Sequence, residues 1–135
     1  MFLDACAIVS ILSDEADAAS YARALQDASS PITSALATWE AIVVLSRPEK
    51  LGRPLLEVEQ LVCEWLADNR IELHSARSSE RDLLHNAVYA LATFGGGPNR
   101  LNALDCFHYA YAKAAASTLL TYDRLLRATD IATAP

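Results

Sequence analysis

The chain has 135 residues, 53% of them apolar, enough for one domain with a real core, which excludes a disordered segment. Eleven basic residues stand against 17 acidic ones, a net charge of −6. That balance excludes a broad basic footprint of the kind that grips duplex nucleic acid, but not a local basic patch beside an acidic site neutralised by metal.

Phe2-Leu3-Asp4 reads as a very short strand at the start of the chain, stable only inside a sheet. Asp4 then stands at the strand's carboxyl end, where open α/β sheets place their ligands. The apolar start MFLDACAIVSIL carries Asp4 and lacks the basic opening of a signal peptide, and no apolar run approaches the ~20 residues of a membrane helix. A cytoplasmic protein without a membrane segment is expected. Ala5 to Leu12 read as a turn or two of helix ending at Ser13-Asp14. Asp14 is expected to cap a second helix whose stripe is Ala18, Tyr21, Ala22 and Leu25, broken by Ser29-Ser30-Pro31.

Ile32-Thr33 is a second short strand, and Ser34 caps the helix ALATWEAIVVLSR, ended by the turn at Arg47-Pro48-Glu49. Within that helix Glu40 is the only charge between Ala35 and Leu45. A helix apolar nearly all round is expected to be buried, and a buried carboxylate must protonate or find a cation. Two cations are open to it, a buried arginine or a metal.

Pro54 opens a long helix with core face Leu55, Val58, Val62, Trp65 and Leu66. Ile71-Glu72-Leu73 is a third strand. Ser79 and Asp82 form a capping box for a helix with stripe Leu83, Leu84, Ala87, Val88 and Leu91. Gly95-Gly96-Gly97-Pro98 is a loop. Asn102 caps the next helix with Asp105 at the capping-box position, and Phe107, Ala110, Tyr111 and Ala114 give its apolar face. Thr118 to Thr121 is a fourth strand, followed by Asp123, a short helical turn, and Asp130-Ile131 as an edge strand. Short strands alternating with helices predict a mainly parallel α/β sheet with helices on both faces.

Three widely spaced cysteines, Cys6, Cys63 and Cys106, form no CxxC pair and suggest neither a zinc ribbon nor a disulfide framework. Buried free thiols are expected. Asp4, Glu40, Asp105 and Asp123 are individually ordinary; together they offer an all-oxygen ligand set that suits Mg²⁺ or Mn²⁺ and not zinc. Such ions activate water and stabilise phosphoryl oxygens. His108, one turn from Asp105, is a candidate ligand, although a helix histidine beside aromatics is more often a packing residue. Arg77, Arg81, Arg100, Lys113 and Arg124 are candidates for phosphate contacts, each with an ordinary surface charge as the plainer explanation.

MFLDACAIVSILSDE, TSALATWEAIVVL and LNALDCFHYAYAKAAASTLLTYD, in this order and spacing, resemble a PIN-domain ribonuclease, and within that family the VapC toxins of bacterial toxin–antitoxin pairs. The resemblance spans nearly the whole chain, residues 1–135, as one PIN-like three-layer α/β/α domain. It implies an endoribonuclease dependent on Mg²⁺ or Mn²⁺, acting on tRNA or rRNA, blocked by a partner antitoxin and forming a homodimer. Its acidic cluster falls on Asp4, Glu40, Asp105 and Asp123: the resemblance makes Asp4 and Asp105 direct ligands, while Glu40 and Asp123 act through water or orient the attacking water. The chain departs from the family at Ala5-Cys6, where a hydroxyl pair is common, at Leu104, where a small residue is common, and at Thr121-Tyr122-Asp123. Two rival readings are a PIN fold with catalysis lost through Ala5-Cys6, acting only through a partner, and a phosphotransfer enzyme with Asp4 as nucleophile. Cys6 stands where the latter would carry a second aspartate.

Overall fold

In the computed structural model, which describes residues 1–74, 79–97 and 100–135, Phe2 and Leu3 form the central strand β1 (Phe2–Leu3) and point to opposite faces of the sheet, as successive strand residues must. Phe2 joins Leu119 in one core; Leu3 joins Leu120 in the other. With β2 (Ile32–Thr33), β3 (Glu72–Leu73), β4 (Leu119–Leu120) and β5 (Thr133–Ala134), the strands lie in the order β3-β2-β1-β4-β5, all pairs parallel. Each strand is two residues long, so flanking residues complete the ladder. The Phe2 N–H donates to the Thr118 carbonyl, the Ile32 N–H to that of Met1 and the Thr121 N–H to that of Ala134, each at 2.8 Å.

Helices α1 (Ala5–Leu12), α2 (Ala18–Gln26), α3 (Ala35–Leu45) and α4 (Leu55–Asp68) supply the core on the Leu3 face. Helices α5 (Glu80–Phe94), α6 (Ala103–Ala114) and α7 (Arg124–Arg127) supply it on the Phe2 face. This is the expected α/β/α layering. The chain steps outward from β1 to β3, then returns past β1 to β4 and β5. Reversing direction across a sheet moves the crossover helices to the other face when the crossovers keep one hand.

Local capping follows the sequence closely. The Ser34 hydroxyl accepts from the Ala37 N–H at 3.0 Å, and Ser79 accepts from the Asp82 N–H while donating to Asp82 Oδ2 at 2.8 Å. The second helix is capped by position at Asp17; Asp14 instead takes a left-handed turn conformation with φ 53°. The edge strand forms at Thr133–Ala134 and not at Asp130-Ile131, because Leu119 and Leu120 pair there.

Burial departs further from expectation. The helix holding Glu40 is only half buried: Trp39 is 56% exposed, and Ile42, Val43 and Val44 are partly covered. On α4, Val58, Val62 and Leu66 are buried but Leu55 is exposed, and Leu56 is 78% exposed. On α5 only Ala87 and Ala90 are buried, leaving Leu84, Val88 and Leu91 uncovered. The 3.6-residue period locates an apolar stripe, but it does not say whether another layer lies against it. Of the cysteines Cys106 is buried, whereas Cys6 and Cys63 are exposed. Among the described residues no helix is long and apolar enough to cross a membrane.

A candidate active site at the centre of the sheet

The strand order reverses between β1 and β4, and the carboxyl ends of these two neighbours carry Asp4 and Asp123. Open α/β sheets bind ligands in the crevice at such a point. Asp4 is the N-cap of α1, its Oδ1 accepting from the Ala7 N–H at 2.9 Å. It is 1% exposed, and its second oxygen, Oδ2, is buried without a hydrogen bond of regular geometry among the described residues. Burial pushes its carboxyl up to about 6. The Thr121 hydroxyl, the Ala7 N–H and His108 pull the other way, and Asp123 adds to the rise.

Asp123 is the N-cap of α7. Its Oδ1 accepts from the Leu125 N–H at 2.7 Å and the Leu126 N–H at 3.2 Å, and its own N–H donates to Thr121 Oγ1 at 2.9 Å. Asp105 completes the capping box of α6: Oδ2 accepts from the Asn102 N–H at 2.9 Å while Asn102 Oδ1 accepts from the Asp105 N–H at 3.0 Å. Asp105 is buried. Burial raises its carboxyl, the Asn102 N–H opposes this, and Asp123 and Glu40 add to the rise.

Among the described residues Glu40 pairs with no arginine. Its Oε2 lies 2.6 Å from Nε2 of His108, and its side chain is 26% exposed. His108 sits one turn after Asp105 on α6 and is buried, so α6 turns both groups to one side. Cys6 registers the convergence. Part of the residue reaches the surface, yet protein crowds its thiol, which burial raises first, followed by Asp4, Asp123, Glu40 and Asp105. All four expected acids are therefore within electrostatic reach of one thiol.

Glu40, Asp123 and Cys6 line a cavity of about 390 Å³ with Tyr21, Ser10 and Lys50. Cavities of about 490 and 500 Å³ lie elsewhere and contain none of the four acids. Among the described residues no three His, Cys, Asp or Glu side chains stand close enough to form a ready-made metal set.

The basic residues are less gathered. Arg81, Arg100 and Arg124 are exposed. Lys113 is engaged by Asp130 at 2.9 Å and lies over the rings of Tyr89 and Tyr109 at 5.8 and 5.3 Å. Arg77 lies outside the described residues. Lys50, not singled out in the sequence, lines the acidic cavity and pairs with Glu15. Tyr21 and Thr121 are read from the sequence only as helix and strand residues, and nothing there joins His108 to Glu40. Only His108 had a local sign, its i+3 spacing from Asp105.

Residues 1–132 match the PIN domain family. The chain is 32% identical over 136 positions to Ribonuclease VapC30 of Mycobacterium tuberculosis, covering 98% of this chain and 97% of that protein. It is 33% identical over 135 positions to Ribonuclease VapC of Mycolicibacterium smegmatis, covering 98% of each. In structure it resembles VapC20 of Mycobacterium tuberculosis, a Sarcin-Ricin loop cleaving toxin, with a TM-score of 0.68 over 99% of this chain and 98% of that one. At 14% identity that likeness speaks to the fold alone.

Proposed function

Since the chain belongs to the VapC ribonucleases of the PIN-domain family, we propose that it is an endoribonuclease toxin that hydrolyses RNA phosphodiester bonds with a divalent cation held at the β1–β4 crevice. The observation that carries this reading is Asp4, a buried carboxylate with one oxygen that lacks a regular hydrogen bond among the described residues and with Asp123 close by. An isolated buried carboxylate is costly, so a fold that keeps one supplies it with a proton or a cation. The donor set is all oxygen and fits a hard ion, Mg²⁺ or Mn²⁺.

Bound there, the cation supplies an activated water and charge stabilisation for the phosphoryl oxygens. Asp4 and Asp105 are the direct ligands in this reading. Glu40 and Asp123 hold the ion through water or orient the attacking water. The N–H groups that already cap Asp4, Asp105 and Asp123 fix the direction of each carboxylate before substrate arrives. Arg81, Arg100 and Arg124 meet phosphates on the approach, joined by Lys50 at the cavity wall. Ala5-Cys6 leaves all four acids in place, so the reading with catalysis lost is not favoured.

The substrate is a structured tRNA or rRNA. A small antitoxin blocks the site, and the chain pairs as a homodimer; the uncovered apolar faces on α4 and α5 support both contacts. Purified protein is expected to cut structured RNA with Mg²⁺ or Mn²⁺ and to stop when a chelator is added. Asp105→Asn is expected to abolish cutting and stay folded, since an Asn oxygen still accepts the Asn102 N–H. Cutting that persists in chelator, or in the Asn variant, overturns the metal mechanism.

A further inference from the structure

His108 is an unusual resident for a core. Its side chain is 3% exposed, and Nδ1 is buried with no hydrogen-bond partner among the described residues. An apolar residue of similar volume would fill this space without leaving a ring nitrogen unsatisfied. What the imidazole has in return is one contact, Nε2 to Glu40 Oε2 at 2.6 Å, which ties α6 to α3. A carboxylate only accepts, so Nε2 carries the hydrogen and donates it.

Glu40 needs such a tie. It is a long side chain on a half-exposed helix, and untethered it would exchange among rotamers that reach solvent. The hydrogen bond occupies Oε2 and leaves Oε1 without a hydrogen-bond partner among the described residues, on a residue that lines the acidic cavity. Local rules of core packing are broken most often where function takes precedence.

We infer that His108 is a positioning residue: it holds one oxygen of Glu40 so that the other is presented to the cation and its water. This rests on the metal-site reading above. The arrangement inverts the common one, in which a carboxylate orients a metal-bound histidine, but obeys the same logic, since groups behind the ligands fix their direction.

The test is Mn²⁺ titration of the whole protein by calorimetry, with RNA cleavage measured alongside. His108→Leu is expected to weaken Mn²⁺ binding about tenfold, the lower end of what such supporting groups contribute. His108→Gln, whose amide donates from nearly the same place, restores most of the affinity; His108→Asn, too short to reach, does not. In a Glu40→Gln background His108→Leu makes no further difference, because His108 acts through Glu40. Parent-like affinity in His108→Leu, or an equal loss with and without Glu40, overturns the inference. Should the Leu variant not fold, the contrast between Gln and Asn decides in the same way. Failure of the underlying reading looks different: the parent itself then binds no Mn²⁺ and Asp105→Asn changes nothing.

Discussion

Tyr21 on α2 and Tyr122, two residues past β4, lie 101 residues apart in the chain and are joined by a 2.7 Å hydrogen bond, from the Tyr122 N–H to the Tyr21 phenolic oxygen. Their rings pack edge to face at 5.1 Å. Tyr122 immediately precedes Asp123, so this bond anchors the backbone that presents the fourth acid. Tyr21→Phe keeps the ring packing and strands the N–H. It is expected to destabilise the protein by about 1–3 kcal/mol, seen as a lower urea midpoint at an unchanged slope. RNA cleavage should fall further than that stability loss explains. Parent-like stability in the Phe variant would show the bond to be dispensable.

Asp4 makes stability depend on pH in an uncommon direction. Its carboxyl sits at about 6, against 3.8 for an unburied aspartate, so between those values the folded state holds a proton that the unfolded state has released. Stability from this group is complete below about pH 4 and is lost as pH rises through 6, by roughly 3 kcal/mol at most. Asp105 is raised as well and adds in the same sense. In chelator, Asp4→Asn should therefore gain on the parent as pH climbs from 4 to 7.5, with its cap to Ala7 kept by the Asn oxygen. Urea midpoints at the two pH values measure this; a parent–variant gap that ignores pH would remove Asp4 as the source.

Glu40→Gln tests the cation that this residue serves. The Gln oxygen still accepts from His108, so no buried donor is stranded and one negative charge leaves the cluster. In chelator the variant is expected to melt at the parent's temperature or above it. Mn²⁺ at a hundredfold excess over its dissociation constant should stabilise the parent by about 2.7 kcal/mol and the variant by much less. A large loss in chelator would mean that Glu40 is structural.

Among the described residues two apolar faces are uncovered, one with Leu84, Val88 and Leu91 on α5, the other with Trp39, Leu55 and Leu56 on α3 and α4. Light scattering is expected to give a dimer. Either Val88→Glu or Leu56→Glu should yield monomer, each exposed enough for the fold to survive a charge. A parent that stays monomeric at high concentration counts against the dimer, and a dimer that survives both changes moves it to another face.

What the sequence reveals here is mostly what is local. The Asn102–Asp105 capping box, the Ser34 and Ser79 caps and the start of α4 at Pro54 each depend on residues within one turn, and each forms as expected. Acids at strand ends follow from the strand assignments, and the family resemblance names all four. The His108–Glu40 bond spans 68 residues, and no periodicity encodes it. The edge strand was misplaced for a related reason. Two residues carry no pattern, and Thr133 and Ala134 are strand only because Leu119 and Leu120 offer them an edge. The exposed leucines of α4 and α5 show the remaining gap, since a stripe is a property of one helix and its cover is a property of another.

The pairing of Phe2 with Leu119 gives the order of strands a meaning in time. Phe2, at the centre of the sheet, is made before either of its partners, and the partner on one side, Ile32, follows soon after. The partner on the other side, Leu119, is made much later. Closing that loop is entropically expensive and slow, and a growing chain cannot do it before β4 exists. Asp4 and Asp123 consequently meet only after β4 has been made. A growing chain thus holds Asp4 without Asp123 until β4 and the turn after it have been made, so the crevice assembles late in the folding of this domain.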